Sequence, residues 1–246
     1  THHHFTGYVG VAHREPSRSD FTDNPSAQVP RPERMVNGEL SYLTTFPALP
    51  TFNGKSQDNH FRINAYYMHY KDQLVLTGRL NDVGNPIKEN VAKSYRAGIE
   101  LNGSFHVYRH WGTAEAWHNR KVFSINYSFT YSLNKIKSFH EYIYTYDDYY
   151  TPVDSFTQVI THKNSNISIS PSIVASLELA AYPVKGLEIS LMNKAVSKQY
   201  LDNTSNESRK LKPFFYSNLR ITYKVPLKRN DKEIKLTLLF NNIFNS

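Results

Sequence analysis

From Phe123 to Asn134 the chain alternates without a fault. Phe123, Ile125, Tyr127, Phe129, Tyr131 and Leu133 occupy the odd positions, and Ser124, Asn126, Ser128, Thr130, Ser132 and Asn134 the even ones. A period of two is the signature of a β-strand with two unlike faces. Strands of soluble domains average about 5–6 residues, and this one is about twice that length. The same pattern recurs. Tyr95, Ala97, Ile99 and Leu101 oppose Arg96, Gly98, Glu100 and Asn102. The run from Ile167 to Tyr182 alternates through Pro171. Phe215, Leu219, Ile221, Tyr223 and Val225 oppose Tyr216, Asn218, Arg220 and Thr222, and Ile234, Leu236, Leu238 and Phe240 oppose Lys235, Thr237 and Asn241.

Nine strands are predicted, at 3–13, 33–46, 60–78, 92–107, 119–135, 165–182, 187–201, 212–225 and 233–244, with no amphipathic helix of useful length. The connections fall into two alternating classes. Those at 183–186 and 226–231 are short, with somewhat longer ones at 47–59 and 108–118. Those at 14–32, 79–91, 136–164 and 202–211 are mostly long and polar. Short turns at one end and long loops at the other are the plan of an outer-membrane barrel. Twelve residues at about 3.3 Å each, tilted about 45°, rise about 28 Å, close to the apolar band of such barrels. The fold class expected is therefore all-β, a transmembrane antiparallel β-barrel. Odd residues of 123–133 would face lipid, and the small polar even ones a wet interior. The pattern leaves open a soluble antiparallel sandwich with one solvated face. A mid-strand Pro171 suits neither architecture well.

Composition adds little against this reading. Mean hydropathy is −0.56, but alternation dilutes the apolar face of a membrane barrel with polar residues. No apolar run reaches the length of a transmembrane helix. There is no Cys, hence no disulfide framework and no Cys-based metal site. The net charge is +8, yet Lys and Arg are scattered and form no nucleic-acid footprint. The 18 Tyr and 14 Phe suit rings with one end in grease and the other in water. An odd number of strands in an open sheet leaves edges that lipid does not tolerate, so the nine read as part of a larger barrel.

The stretches VAHREPSRSDFTD (11–23), YYMHYKDQLVLTGRLNDVG (66–84), KSYRAGIEL (93–101), KQYLDNTSNESRKL (198–211) and LLFNNIFN (238–245) resemble the C-terminal half of TonB-dependent outer-membrane receptors, most of all those of Bacteroidota. The resemblance covers nearly the whole chain. It implies a 22-stranded barrel plugged by an N-terminal domain, with 1–246 the C-terminal portion of the barrel and the plug and last strand outside this stretch. The nine strands would be numbers 13 to 21, with 14–32, 79–91, 136–164 and 202–211 outside the cell. It implies outer-membrane import of a scarce nutrient (a ferric siderophore, haem, cobalamin or oligosaccharide) driven by the TonB complex. A passive porin or structural barrel, and a soluble β-rich binding domain, are the rivals. The partners implied are lipid and lipopolysaccharide, the plug, TonB and a surface lipoprotein cap, with no nucleic acid and no cofactor.

No catalytic motif is present. The ligand candidates are on loops. EYIYTYDDYY (141–150) offers Tyr144, Tyr146 and Tyr149 as stacking rings and Asp147 and Asp148 as partners for a cation or basic group; an aromatic belt is the simpler reading. REPSRSD (14–20) offers Arg14 and Arg18 at the mouth, beside Glu15 and Asp20, as ligand or plug contacts or as a salt-bridged lid. Arg62, Arg96, Arg220, Glu39, Glu100, Glu178 and Glu188 are expected to face the lumen, where mixed charge would hold plug and water or steer an anionic ligand. Successive His2, His3 and His4 cannot all point one way on a strand, which argues against a metal site. His110, Trp111, Trp117 and His118 read as a turn with interfacial rings. NTS and NES at 203–208 match glycosylation sequons, a use that does not suit a bacterial barrel.

Overall fold

The computed structural model describes residues 1–24, 29–48, 59–81, 83–111, 118–143, 158–227 and 233–244. Twelve strands and one short helix follow in order: β1 (His2–Arg14), α1 (Arg18–Thr22), β2 (Glu33–Phe46), β3 (Asn59–Leu80), β4 (Pro86–Trp111), β5 (His118–Ile143), β6 (Gln158–Asn166), β7 (Ile173–Ala181), β8 (Leu187–Val196), β9 (Gln199–Tyr200), β10 (Lys210–Leu211), β11 (Phe214–Pro226) and β12 (Glu233–Phe240). One open antiparallel sheet runs β1-β2-β3-β4-β5-β7-β8-β11-β12, with β6 pairing β5 beyond β7. Neighbours in sequence are neighbours in space, so the sheet is a meander of nine strands, as the alternation predicts.

Three expectations about element bounds change. The run 165–182 is not one strand. Ile169 sits at φ +50, a conformation rare for β-branched residues, and Pro171 has no N–H for a ladder. The chain leaves β5 as β6, turns through 167–172, and returns to β5 as β7. The gap is bridged by Ser132 N–H to Ser172 O (2.8 Å) and Ser132 Oγ to Pro171 O (3.1 Å), while Ile169 N–H donates to Tyr200 O at 2.9 Å. Ile167 accordingly is buried beside Val75, Val91, Ile136 and Phe139, not turned to lipid. The segment 79–91 is mostly strand, because β3 and β4 run on to Leu80 and Pro86. Likewise 136–164 is largely β5 and β6. Long hairpins thus replace two of the long loops. The loop 14–32 contains α1, opened by a capping box in which Ser17 and Asp20 satisfy each other's backbone N–H groups.

Register settles the two faces. Phe129 lies opposite Leu101 and Ala175, and Ser128 opposite Asn102 and Ser176. One face therefore collects the apolar set, and much of it is exposed: Phe5 80%, Val9 79%, Leu40 71%, Ile99 45%, Leu238 61%. A water-facing domain does not leave so broad an apolar surface open. Aromatic pairs mark two rims on this face. Phe46 and Phe105 meet edge-on at 5.3 Å, and Phe5 and Tyr42 at 4.8 Å, toward one end; Tyr67 and Tyr95 stack at 6.0 Å toward the other. From Tyr95 to Phe105 is about 33 Å of strand, or about 23 Å along the normal at a tilt of about 45°. That is the height of a membrane barrel's apolar band.

The small buried cluster of Val75, Val91, Ile136, Phe139 and Ile167 lies beyond this band, at the end where β1–β2, β3–β4 and β8–β11 connect. This loop-rich end is a packed layer: Asn203 joins Ser168 N–H (2.9 Å) to Leu76 O (3.3 Å) across strands distant in sequence. Among the described residues no helix is long and apolar enough to cross a membrane, which says nothing against crossing by strands.

Candidate functional site

The second face is polar and carries the charged residues read from the sequence. By register Arg62, Arg96, Glu100, Glu39, Glu178, Glu188 and Arg220 all project to it. They do not form one cluster. On β7, β8 and β11, Arg220 Nη2 donates to Glu178 Oε1 at 2.5 Å, to Glu188 Oε1 at 3.0 Å and to Ser190 Oγ at 3.3 Å. Asn126 Nδ2 donates to the other Glu178 oxygen at 3.3 Å. One cation thus bridges two carboxylates.

On β2 to β5 the arrangement is looser. Asn37 Nδ2 donates to Glu39 (2.6 Å) and Asn64 Nδ2 to Glu100 (3.4 Å). Arg96 and Arg62 have no carboxylate partner among the described residues, and the Arg96 Nε is buried without a hydrogen bond. Of these, Glu39, Asn64, Arg96 and Glu100 border a concavity of about 520 Å³, with Tyr66, Ser132 and Pro171 also in its wall. Tyr66 of this wall stands against Gly98, where a Cβ would lie 2.6 Å from Tyr66 Oη and 2.6 Å from Tyr131 O. The Tyr66 ring lies over the glycine, filling the space and shielding backbone. The β6–β7 turn closes one side of the concavity.

At the loop-rich end ion pairs tie loops to strands. Arg14 pairs with Glu33 (2.7 Å), not with Glu15 or Asp20, and Glu33 also accepts from Leu74 N–H at 2.7 Å. Asp20 pairs with Lys88 (2.9 Å) and Arg31 with Asp72 (2.7 Å). Burial would push the Asp20 carboxyl up, but Lys88 and Ser17 outweigh it and hold it at about 2. Lys198, Lys210 and Tyr200 hold Glu207 at about 2. Burial would also raise Asp202, yet Thr204 and Arg209 keep it below the usual range. Charges at 14–20 do pair, but with partners on β2 and β4 rather than with one another. Arg18 is exposed on α1 without an ion pair among the described residues. Tyr144, Tyr146, Asp147, Asp148 and Tyr149 lie outside the described residues, as does Trp117. His2 and His4 share the polar face while His3 bonds Tyr42 at 2.8 Å on the other, and no metal-binding group occurs among the described residues. The Asn203 sequon residue is buried at 5% and bonded, which removes it as a glycosylation acceptor. The Asn203 and Glu33 anchors were not legible in the sequence, because their partners are distant in the chain.

A family model described as "TonB dependent receptor-like, beta-barrel" matches residues 5–245. The chain belongs to the TonB-dependent receptor family. Its sheet is a piece of that family's outer-membrane barrel, and the exposed apolar face is the lipid face. This sets aside the soluble β-rich domain. No curated protein matches the chain. Among solved structures, "Copper transporter OprC" superposes with TM-score 0.61 at 15% identity, covering 99% of this chain and 31% of that one. The ferric-catecholate import receptor Fiu from K12 E. coli gives 0.58 at 11%, covering 99% and 29%. The ferric enterobactin receptor PfeA from Pseudomonas aeruginosa gives 0.53 at 15%, covering 98% and 32%. The chain spans about a third of the length of these structures, and at such identity they share its fold. An open sheet with free edges at β1 and β12 fits such a part of a larger barrel.

Proposed function

We propose that this chain is the C-terminal part of the wall of a 22-stranded transporter. It supplies strands 13 to 21, and its parent imports a scarce nutrient against a gradient by TonB-driven plug rearrangement. The ligand classes in view are a ferric siderophore, haem, cobalamin or an oligosaccharide; the superposed receptors named for copper and ferric chelates favour a metal or its chelate. The loop-rich end faces outside, where Arg14 and Arg18 and the Tyr-rich segment 141–150 meet ligand or a surface lipoprotein. The wall binds and passes its cargo unchanged and performs no enzymatic step. The observation that supports this reading best is the polar face. It holds Arg96 beside a concavity, Arg96 and Arg62 without a carboxylate partner among the described residues, and an Arg220–Glu178–Glu188 cluster, the furnishings of a lumen that contacts a plug and a charged ligand.

The test is uptake by cells with the parent gene intact or deleted, offered each labelled ligand class, with and without a functional TonB complex. Accumulation lost on deletion and lost equally without TonB is the expected result. Accumulation that persists without TonB and follows the outside concentration would overturn active transport in favour of a passive porin.

A further inference from the structure

The turn 167–172, between β6 and β7, carries backbone strain. Ile169 sits at φ +50, an outlier for a β-branched residue, and strain of this kind collects at clamps and switches. Burial does not explain it, because Ile169 is 57% exposed. The turn is placed against the polar face. Ile169, Ser170 and Pro171 form one wall of the concavity that Tyr66, Arg96 and Glu100 border.

A second element holds the turn there. The hairpin of β9 and β10, residues 198–211, takes its backbone donors. Ser168 N–H donates to Asn203 Oδ1 at 2.9 Å, Ile169 N–H to Tyr200 O at 2.9 Å and Asn166 N–H to Ser205 Oγ at 2.6 Å. Asn203 also donates to Leu76 O at 3.3 Å, which fixes the hairpin to β3. The hairpin is a closed unit in itself. Lys198 pairs with Glu207 at 2.6 Å, Arg209 with Asp202 at 3.0 Å, and Leu201 N–H donates to Arg209 O at 2.9 Å. Its attachment to the barrel is polar: Arg209 reaches Glu141 of β5 at 3.3 Å, while Leu201 and Leu211 stay 52% and 48% exposed. An element that buries little apolar surface against its neighbour separates from it at low cost. Separation frees the donors of Ser168 and Ile169 and removes the constraint that keeps Ile169 left-handed.

We propose that 167–172 is a strained gate in the lumen wall, held against the concavity by the 198–211 hairpin, and that lifting the hairpin releases the gate and widens the concavity. Hairpin and concavity are then coupled in both directions. A contact that lifts the hairpin from the loop-rich side opens the lumen wall, and an occupant that presses on Ile169 and Pro171 loosens the hairpin. The inference rests on the polar face being the lumen side, and not on which nutrient is carried or how its import is driven.

The experiment uses the full-length parent protein in lipid vesicles, with folding checked by heat-modifiable gel mobility. Hydrogen exchange of the amides of 166–173 is followed by mass spectrometry, with the mid-strand segment 123–131 as internal reference. Asn203→Ala removes the acceptor of Ser168 and the tie to Leu76. Exchange of 166–173 should rise about tenfold or more, with 123–131 unchanged. No rise, or a rise shared by 123–131, overturns the hairpin as the element that holds the turn. Ile169→Asn keeps the hairpin contacts and relieves the strain, because Asn tolerates the left-handed region. The same amides should then exchange about fivefold more slowly, and exchange as fast as wild type or faster overturns the stored strain. Widening is read at Thr130, which lines the concavity and lies opposite Val174. Thr130→Cys should react with a bulky maleimide faster alongside Asn203→Ala, and more slowly when Asn166→Cys and Ser205→Cys close a disulfide between turn and hairpin. Equal labelling in the locked, wild-type and released forms overturns the gate. Neither readout is uptake, so a failure of active transport leaves this test standing, and a failure of this test leaves transport untouched.

Discussion

Phe129 and Ser128 are adjacent in sequence and opposite in surroundings. Phe129 sits between Leu101 and Ala175 on the lipid face. It is close to the middle of the band, since on the same strand Ile125 is level with Phe105 and Lys135 with Tyr95. Arg at this depth costs about 2–4 kcal/mol in a membrane barrel. Ser128 lies between Asn102 and Ser176 on the polar face and is exposed to the lumen side. An Arg there keeps its guanidinium in water, so the cost is within about 0.5 kcal/mol. In equilibrium terms Phe129→Arg shifts the folded-to-unfolded ratio by about 30- to 1000-fold, with Ser128→Arg near unity. The assay is urea-induced unfolding of the full-length barrel in lipid vesicles, followed by tryptophan fluorescence and gel mobility. At a slope of about 2 kcal/mol per molar, the Phe129→Arg midpoint falls by about 1–2 M. Equal shifts for the two variants, or a larger one for Ser128→Arg, would refute the facing assignment on which the lumen argument depends.

Arg220→Gln leaves Glu178 and Glu188 facing each other without their shared cation. These groups are about one-third exposed, so water blunts the cost to about 1–2 kcal/mol, and Glu178→Gln in the same chain should recover part of it in a double-mutant cycle. Gly98→Val drives a side chain into Tyr66 and the Tyr131 carbonyl and should lower stability by about 1–3 kcal/mol, read from the same unfolding midpoint. Asp20 titrates near 2 when α1 is docked and at its ordinary 3.8 when it is free. The docked state therefore binds the proton more weakly. The stabilisation is fully present above about pH 4 and is lost as pH falls through about 2. Protease cleavage of the 15–32 loop should rise over that interval, and in Asp20→Asn cleavage should be high and flat across it.

The sheet was legible in the chain itself because a pleated strand has a strict period of two, and a membrane barrel keeps that period over its whole height. Nothing more than alternation was needed to find the strands, to put Phe129 and Ser128 on opposite faces, and to place Arg62, Arg96, Glu100, Glu188 and Arg220 on the polar one. Tertiary structure decided what alternation cannot encode. The run 165–182 keeps its period on paper, yet Ile169 in a left-handed conformation and Pro171 without an N–H break it, and a carbonyl from β9 captures the freed donor. Hairpins longer than the apolar band look like loops in sequence because their residues pack into a small private core of Val75, Val91, Ile136, Phe139 and Ile167. Ion-pair partners such as Glu33 for Arg14 and Lys88 for Asp20 are set by which strands neighbour one another. Cations at the loop-rich edge of the lipid face show the same limit. His13, Arg34, Lys71 and Lys93 are scattered singly along the chain, and only cross-strand register, a property of paired backbones, brings them into one line at the edge of the lipid band.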